Sequence, residues 1–218
     1  MEAADRQQGM MQLIFALRSA GITDRAVLDA MEATPRDLFV DRTFKERAYE
    51  NRPLPISCGQ TISQPSVVGI MTEALEVHSR CKVLEVGAGS GYQSAILARL
   101  ARRVYAIERH RPLALQARAR MEDLDLSNVT IRAADGTRGW PEQAPFDRIL
   151  LAAAADDPPA PLLEQLRVGG IMVLPVGNSD DVQQLIKIEK TDTGFDYSEL
   201  GDVLFVPLIE GIAEDPGS

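Results

Sequence analysis

The chain has little of what catalytic and metal sites are commonly built from. Only two cysteines, Cys58 and Cys81, and two histidines, His78 and His110, occur in 218 residues. Two such thiols make neither a disulfide framework nor a cysteine-ligated metal centre, so reduced thiols and no metal are expected. Long apolar runs are missing too. No stretch approaches the roughly 18 residues that a membrane-spanning helix requires. The opening MEAADRQQGMMQLIFALRSAG lacks the basic start, longer apolar segment and small-residue cleavage site of a secretory leader. The expectation is a cytoplasmic protein with no membrane partner. Positive charge is also in deficit: the formal net charge is -9, and such a field repels phosphate backbones, so no nucleic-acid partner is expected. Arg99, Arg102, Arg103, Arg109 and Arg111 are a local exception, read as helix-end charges on a solvated face.

What the chain does contain is enough apolar sequence, 45% of residues against 25% charged, to bury one substantial core. Residues 7–20 carry Met10, Met11, Ile14 and Leu17 at helical spacing. A second helix, opened by Thr23 or Asp24, runs through Val27, Leu28 and Met31 and closes before Pro35. Residues 36–65, rich in turn formers and prolines, read as a largely irregular, functional connection. Pro65 then starts a helix through Val68, Met71 and Leu75.

From Lys82 onward short β-rich runs alternate with helical patterns: VLEV, a helix at Tyr92–Leu100, VYAI, a helix at Pro112–Leu124, VTIRA, RILLA, a helix at Pro161–Leu166, and IMVLPV. Such alternation implies crossover connections and a mostly parallel sheet. QLIKIEK and DVLFVPL, separated by the turn-like TDTGFD, read as antiparallel strands. The fold class is therefore α/β: a Rossmann-like, doubly wound, mostly parallel sheet with antiparallel C-terminal strands and an N-terminal helical extension. The expected division is 1–80 for the extension and substrate-side loop, 81–211 for the core and 212–218 for a tail.

VLEVGAGSGY carries the chemistry. A buried strand runs into glycines 87, 89 and 91, which permit positive φ and close backbone approach to a ligand ahead of a helix N-terminus. Glu108 closes the next strand 21 residues after Gly87, where a carboxylate can accept hydrogen bonds from both hydroxyls of a ribose. The third glycine comes one residue too early for the dinucleotide pattern G-x-G-x-x-G. With Glu85 in front, the spacing is similar to that of class I S-adenosylmethionine-dependent methyltransferases. Asp135-Gly136, ending the next strand, falls where such enzymes place an acid near the adenine. Glu85, Gly87, Ala88, Gly89, Gly91, Glu108, Arg109, Asp135 and Gly136 are the expected cofactor residues, and S-adenosyl-L-methionine the expected cofactor.

GQTISQP, residues 59–65, contains no ionisable side chain. From its residues alone, Ser63 or Gln64 sits in the cap region of the helix at Pro65. Together with LPISCGQTISQPSVVGIMTEAL, KVLEVGAGSGYQSAILARL, VYAIER, DGTRGWPEQAPFDRILLAAA, LLEQLRVGGIMVLPVG and FVPL, it resembles the protein-L-isoaspartate O-methyltransferase family over about residues 10–211. The resemblance implies methyl transfer from S-adenosylmethionine to the α-carboxylate of L-isoaspartyl residues, and less efficiently to D-aspartyl residues, in damaged proteins and peptides. The methyl ester then closes to a succinimide whose hydrolysis restores some aspartate. It implies that Ser63 is the active-site residue, that Gln60, Thr61 and Ile62 form the wall between substrate and cofactor, and that Val206 and Pro207 lie against the acceptor backbone. It also implies a terminal strand order unlike that of most class I methyltransferases, and a monomer is expected. Two departures from the family pattern occur: Asn51, where many relatives carry aspartate, and the pair Ser57-Cys58, where many bacterial ones carry Gly-His or Gly-Phe. Competing readings are a methyltransferase for another small carboxylate acceptor, a catalytically inactive methyltransferase-like binding protein, and a nicotinamide dehydrogenase.

Overall fold

Local signals at the N-terminus decide where the first helices begin and end. In the computed structural model, which describes residues 3–178 and 181–214, helix α1 spans Ala3–Ser19, starting earlier than the apolar spacing suggests. Helix α2, Arg25–Glu32, is capped by Asp24, whose carboxylate accepts from the Ala26 and Val27 N–H groups at 2.7 and 3.2 Å. This satisfies donors that a helix start leaves exposed. The segment 36–65 holds three short 3-10 turns, Arg36–Leu38, Arg42–Arg47 and Ser57–Gly59, and an antiparallel pair of two-residue strands, β1 (Leu54–Pro55) and β2 (Thr61–Ile62). Helix α3, Pro65–Ala74, follows with proline in its first turn. It is tied to the start of α2 because Glu73 Oε1 accepts from the Thr23 N–H and hydroxyl and from the Asp24 N–H.

The remaining elements alternate as the sequence suggests: β3 (Lys82–Val86), α4 (Tyr92–Leu100), β4 (Arg103–Glu108), α5 (Arg111–Asp123), β5 (Val129–Ala133), β6 (Phe146–Leu151), α6 (Ala160–Gln165), β7 (Leu166–Val176), β8 (Gln183–Lys190) and β9 (Phe195–Val203). They build one sheet in the order β5-β4-β3-β6-β7-β8-β9. The first five strands are parallel and β8 and β9 antiparallel. The last three strands thus lie in chain order, each beside its predecessor. Strand β3 is flanked by β4 on one side and β6 on the other, so the chain reverses direction across the sheet there and opens a crevice at the carboxyl ends of the strands. One apolar cluster runs from Leu13, Leu17 and Met31 through Tyr92, Ala95 and Ile96 to Ala117. The N-terminal helices and the helices on this face of the sheet therefore share a core. Among the described residues no helix is long and apolar enough to cross a membrane.

The final strand departs from the sequence reading. DVLFVPL is the apolar candidate, but β9 forms from Phe195–Val203 and Leu204–Leu208 leave the sheet. β9 is an edge strand with largely exposed side chains, so it carries no apolar alternation to betray it. The apolar segment after it turns back over the crevice: Ala154 N–H donates to the Val206 carbonyl at 2.8 Å, and Leu208 N–H to the Ala154 carbonyl at 2.7 Å. Of the expected tail 212–218, residues 215–218 lie outside the described residues, while Ala213 N–H donates to the Arg109 carbonyl.

Candidate functional site

The glycine loop leaves β3 with φ of +90°, +53° and +87° at Gly87, Gly89 and Gly91, conformations that a side chain would strain. Its shape is set by its neighbours. Gly87 and Ala88 N–H donate to the Ile107 carbonyl at 2.8 and 3.1 Å, and Gly89 N–H donates to Glu108 Oε2 at 2.8 Å. The other Glu108 oxygen accepts from His110 N–H at 2.9 Å. A carboxylate has about four lone-pair sites, so two backbone bonds fix its orientation and leave acceptors free. Glu108 faces a cavity also lined by Gly87, Gly89, Arg109 and Gly136, with Gln60 and Thr61 on one side and Val206 and Pro207 on another. A Cβ on Gly136 would come 2.5 Å from Val86 Cγ1, so only glycine keeps this wall flush. A smooth glycine-lined wall with an oriented carboxylate suits the adjacent hydroxyls and flat base of an adenosine group.

Three expected cofactor residues do not line this cavity or its inner extension. Gly91 sits behind the loop at the start of α4. Asp135 turns its carboxylate onto the Thr137 N–H and hydroxyl at 2.9 and 2.7 Å, capping the turn that presents Gly136. Partial burial pushes the Asp135 carboxyl up, but those bonds and Arg138 hold it below the usual carboxylate range. Glu85 is fully buried beneath the loop, where its carboxyl accepts from the Ser94 hydroxyl. Burial pushes this group up to about 8, with Ser94 opposing and Glu108 adding to the shift. It lies under the loop as a support.

The cavity continues inward past Thr61, Gly87, Gly89 and Ala152 into a smaller chamber lined by Ile62, Ser63, Ala88, Tyr92, Gln93 and Phe205. Among the described residues no Asp, Glu, Lys, Arg or His lines this inner end. Burial pushes the Tyr92 hydroxyl up to about 12, so it too is neutral. Ser63 also borders an outer groove with Pro53, Val67, Val182 and Leu204. It therefore stands between the chamber and the surface.

The helix-cap role open to Ser63 belongs elsewhere. Gln64 is the cap residue of α3 and makes no side-chain cap bond. The donor is satisfied from a distance: Ser66 N–H donates to Asn51 Oδ1 at 2.9 Å. The Ser63 carbonyl accepts from Arg36. An amide oxygen at position 51 serves this bond as a carboxylate would. Asn51→Ala is expected to lower stability by about 1 kcal/mol, measured as a shift of the urea unfolding midpoint at constant slope.

The sequence reading missed Phe205, Tyr92, Leu208 and Ile209 as cavity residues. The available signal was the apolar FVPLI run, too short and too late for a further core strand. Cys58 is half-buried in the loop at φ +60°, away from both chamber walls. The five arginines form no single patch, because β4 separates Arg102 and Arg103 at its start from Arg109 and Arg111 beyond its end.

Comparison with known proteins agrees with this geometry. Residues 7–213 match the model of the family described as protein-L-isoaspartate(D-aspartate) O-methyltransferase (PCMT). The chain is 62% identical over 208 residues to a protein-L-isoaspartate O-methyltransferase of Ruegeria sp. (strain TM1040), covering 95% of this chain and 97% of the relative. It is 59% identical to the Paracoccus denitrificans (strain Pd 1222) protein of the same name, covering 98% and 97%. Among solved structures, a protein-L-isoaspartate O-methyltransferase superposes with a TM-score of 0.84 at 25% identity, covering 93% of this chain and 67% of the other. A putative protein-L-isoaspartate O-methyltransferase from Plasmodium falciparum, in complex with S-adenosyl-L-homocysteine, gives 0.79 at 25% identity, covering 91% and 97%. The chain belongs to the protein-L-isoaspartate(D-aspartate) O-methyltransferase family.

Proposed function

We propose that this protein is a repair enzyme that transfers a methyl group from S-adenosylmethionine to the free α-carboxylate of L-isoaspartyl residues, and less efficiently to D-aspartyl residues, in damaged proteins and peptides. When bound, S-adenosylmethionine supplies an electrophilic methyl group on a sulfonium centre. Glu108 would hold the ribose hydroxyls, the loop at Gly87–Gly89 would pass alongside the cofactor, and Gly136 and Arg109 would flank its base. Glu85 and Gly91 support the loop from behind, and Asp135 shapes the turn at Gly136.

The observation that carries this reading is the uncharged inner chamber with Ser63 at its mouth. A carboxylate with a pKa of about 3.5 to 4 is ionised at neutral pH, so the acceptor brings its own nucleophile and needs no general base. The chain's task is alignment and exclusion of water. The Ser63 hydroxyl can donate to the acceptor carboxylate without quenching it as a strong cation would. Gln60, Thr61 and Ile62 would divide acceptor from cofactor, with Val206 and Pro207 against the acceptor backbone. The reading takes the enzyme as a monomer; the cysteine usage and net charge support a cytoplasmic enzyme that does not bind nucleic acid.

The test is to incubate the protein with methyl-labelled S-adenosylmethionine and paired peptides that differ only in Asp against isoAsp. Base-labile label is expected on the isoAsp peptide and not on its Asp twin. Equal labelling of the two, or none, would overturn the reading.

A further inference from the structure

The buried cation nearest the acceptor loop is Arg36, which no feature of the reaction so far uses. Its side chain is fully buried in the turn Arg36–Leu38. The guanidinium spreads over four backbone carbonyls: Nη1 donates to Ala48 at 2.5 Å and to Glu50 at 3.4 Å, and Nη2 donates to Arg52 at 3.0 Å and to Ser63 at 3.1 Å. Burial lowers its pKa to about 10, with the nearby Tyr92, Glu50 and Tyr49 opposing, so it stays charged at neutral pH. A buried guanidinium loses its hydration, and here carbonyl oxygens compensate it in place of a carboxylate.

Two details make this more than a generic brace. The base of the side chain is itself pinned, since Asp37 accepts from Arg6 Nη2 and from the Tyr49 hydroxyl, both at 2.7 Å. The other end of the guanidinium reaches Ser63, which borders both the chamber and the outer groove, and lies 5.8 Å from the ring centre of Tyr92, the first residue of α4 after the glycine loop. Arg36 therefore spans from a fixed N-terminal turn to the acceptor loop and sits against the element that follows the cofactor loop. It does not line the chamber.

We infer that Arg36 is a positioning residue for methyl transfer, holding the Ser63 carbonyl so that the Ser63 hydroxyl meets the acceptor carboxylate in register with the cofactor loop. The inference rests on the function proposed above. Lysine in its place keeps a charge but not the planar fork that reaches carbonyls on both sides at once. A displacement of about 1 Å at a reacting centre can cost on the order of 10²-fold in rate.

The test is a double-mutant cycle in the full chain with Arg36→Lys, Ser63→Ala and the pair, assayed on the isoAsp peptide, with S-adenosylhomocysteine affinity measured by calorimetry. Arg36→Lys should lower kcat about tenfold or more, since even part of that displacement is costly, while the cofactor-site affinity stays within about twofold. The pair should be no slower than Ser63→Ala alone, because residues acting through one another are not additive. Additive losses, or a loss of cofactor affinity matching the loss of kcat, would overturn the inference and leave Arg36 a structural brace. Should Arg36→Lys fail to fold, an ester replacing the peptide bond between Ser63 and Gln64 takes its place in the cycle. It weakens the Ser63 carbonyl as an acceptor without altering any side chain. An unchanged kcat there would also overturn the inference. A wild-type protein that does not label the isoAsp peptide would instead defeat the proposed function, and the inference with it.

Discussion

Ser63→Ala is expected to reduce kcat on an isoAsp peptide by on the order of 10²-fold, because the hydroxyl is the neutral donor placed where the acceptor carboxylate must be aligned. Cofactor affinity should change by no more than about twofold, since Ser63 lines the inner chamber and the outer groove but not the cavity that Glu108 faces. A mutation that spares binding and lowers kcat and kcat/KM together has removed an interaction made in the transition state. Folding stability should move by less than about 0.5 kcal/mol. The cap bond of α3 comes from Asn51 and not from Ser63, so the structural explanation for a slow Ser63→Ala enzyme is closed off in advance. Normal turnover in the purified variant would remove Ser63 from the site. The pair Asn51→Ala and Ser63→Ala thus separates the two roles a serine before a helix can play, with one variant losing stability and the other losing rate.

Glu108→Gln should weaken cofactor binding about as much as Glu108→Ala does, by roughly 1.5 to 3 kcal/mol, the range for hydrogen bonds to charged groups. At 1.4 kcal/mol per tenfold, that is about 10- to 150-fold in Kd. The isosteric change is expected to be no milder because both carboxylate oxygens already face backbone donors, Gly89 N–H at 2.8 Å and His110 N–H at 2.9 Å. An amide cannot accept at both ends. One orientation sets its NH2 against Gly89 and the other against His110, so either the loop or the start of α5 loses its partner. Faster hydrogen exchange at the Gly89 amide would accompany the loss of affinity if the first orientation prevails, and at His110 if the second does. Calorimetry showing wild-type affinity for S-adenosylhomocysteine in Glu108→Gln would count against the ribose contact.

The parts of the site legible in the sequence are those whose chemistry is local. Positive φ at Gly87, Gly89 and Gly91 is demanded by a strand that must turn directly into a helix. Parallel strands covered on both faces, such as β3 and β6, are nearly continuous apolar runs. Glu108 is conspicuous as an acid ending such a run. Even here Glu85 and Asp135 do not line the cavity, because a residue's place in a motif does not say which way its side chain turns. The carboxyl of Glu85 lies under the loop with Ser94, and that of Asp135 is folded back on Thr137.

Tertiary structure decided the rest, and the reason is distance along the chain. Asn51 caps a helix fifteen residues on, Arg36 reaches a carbonyl 27 residues away, and no periodicity encodes either bond. β9 lies at the edge of the sheet with little to bury, so its polar residues carry no strand signal, while the apolar run after it has the composition of a strand. That run is apolar because it closes the site, with Phe205 in the inner chamber and Val206 to Ile209 along the outer cavity. The sequence by itself determined the parallel strands, the glycine loop and the uncharged stretch before α3. Only the folded chain brought the C-terminal segment over that loop and put Ser63 between the inner chamber and the outer groove, because burial and hydrogen bonding between distant segments depend on the whole packed core.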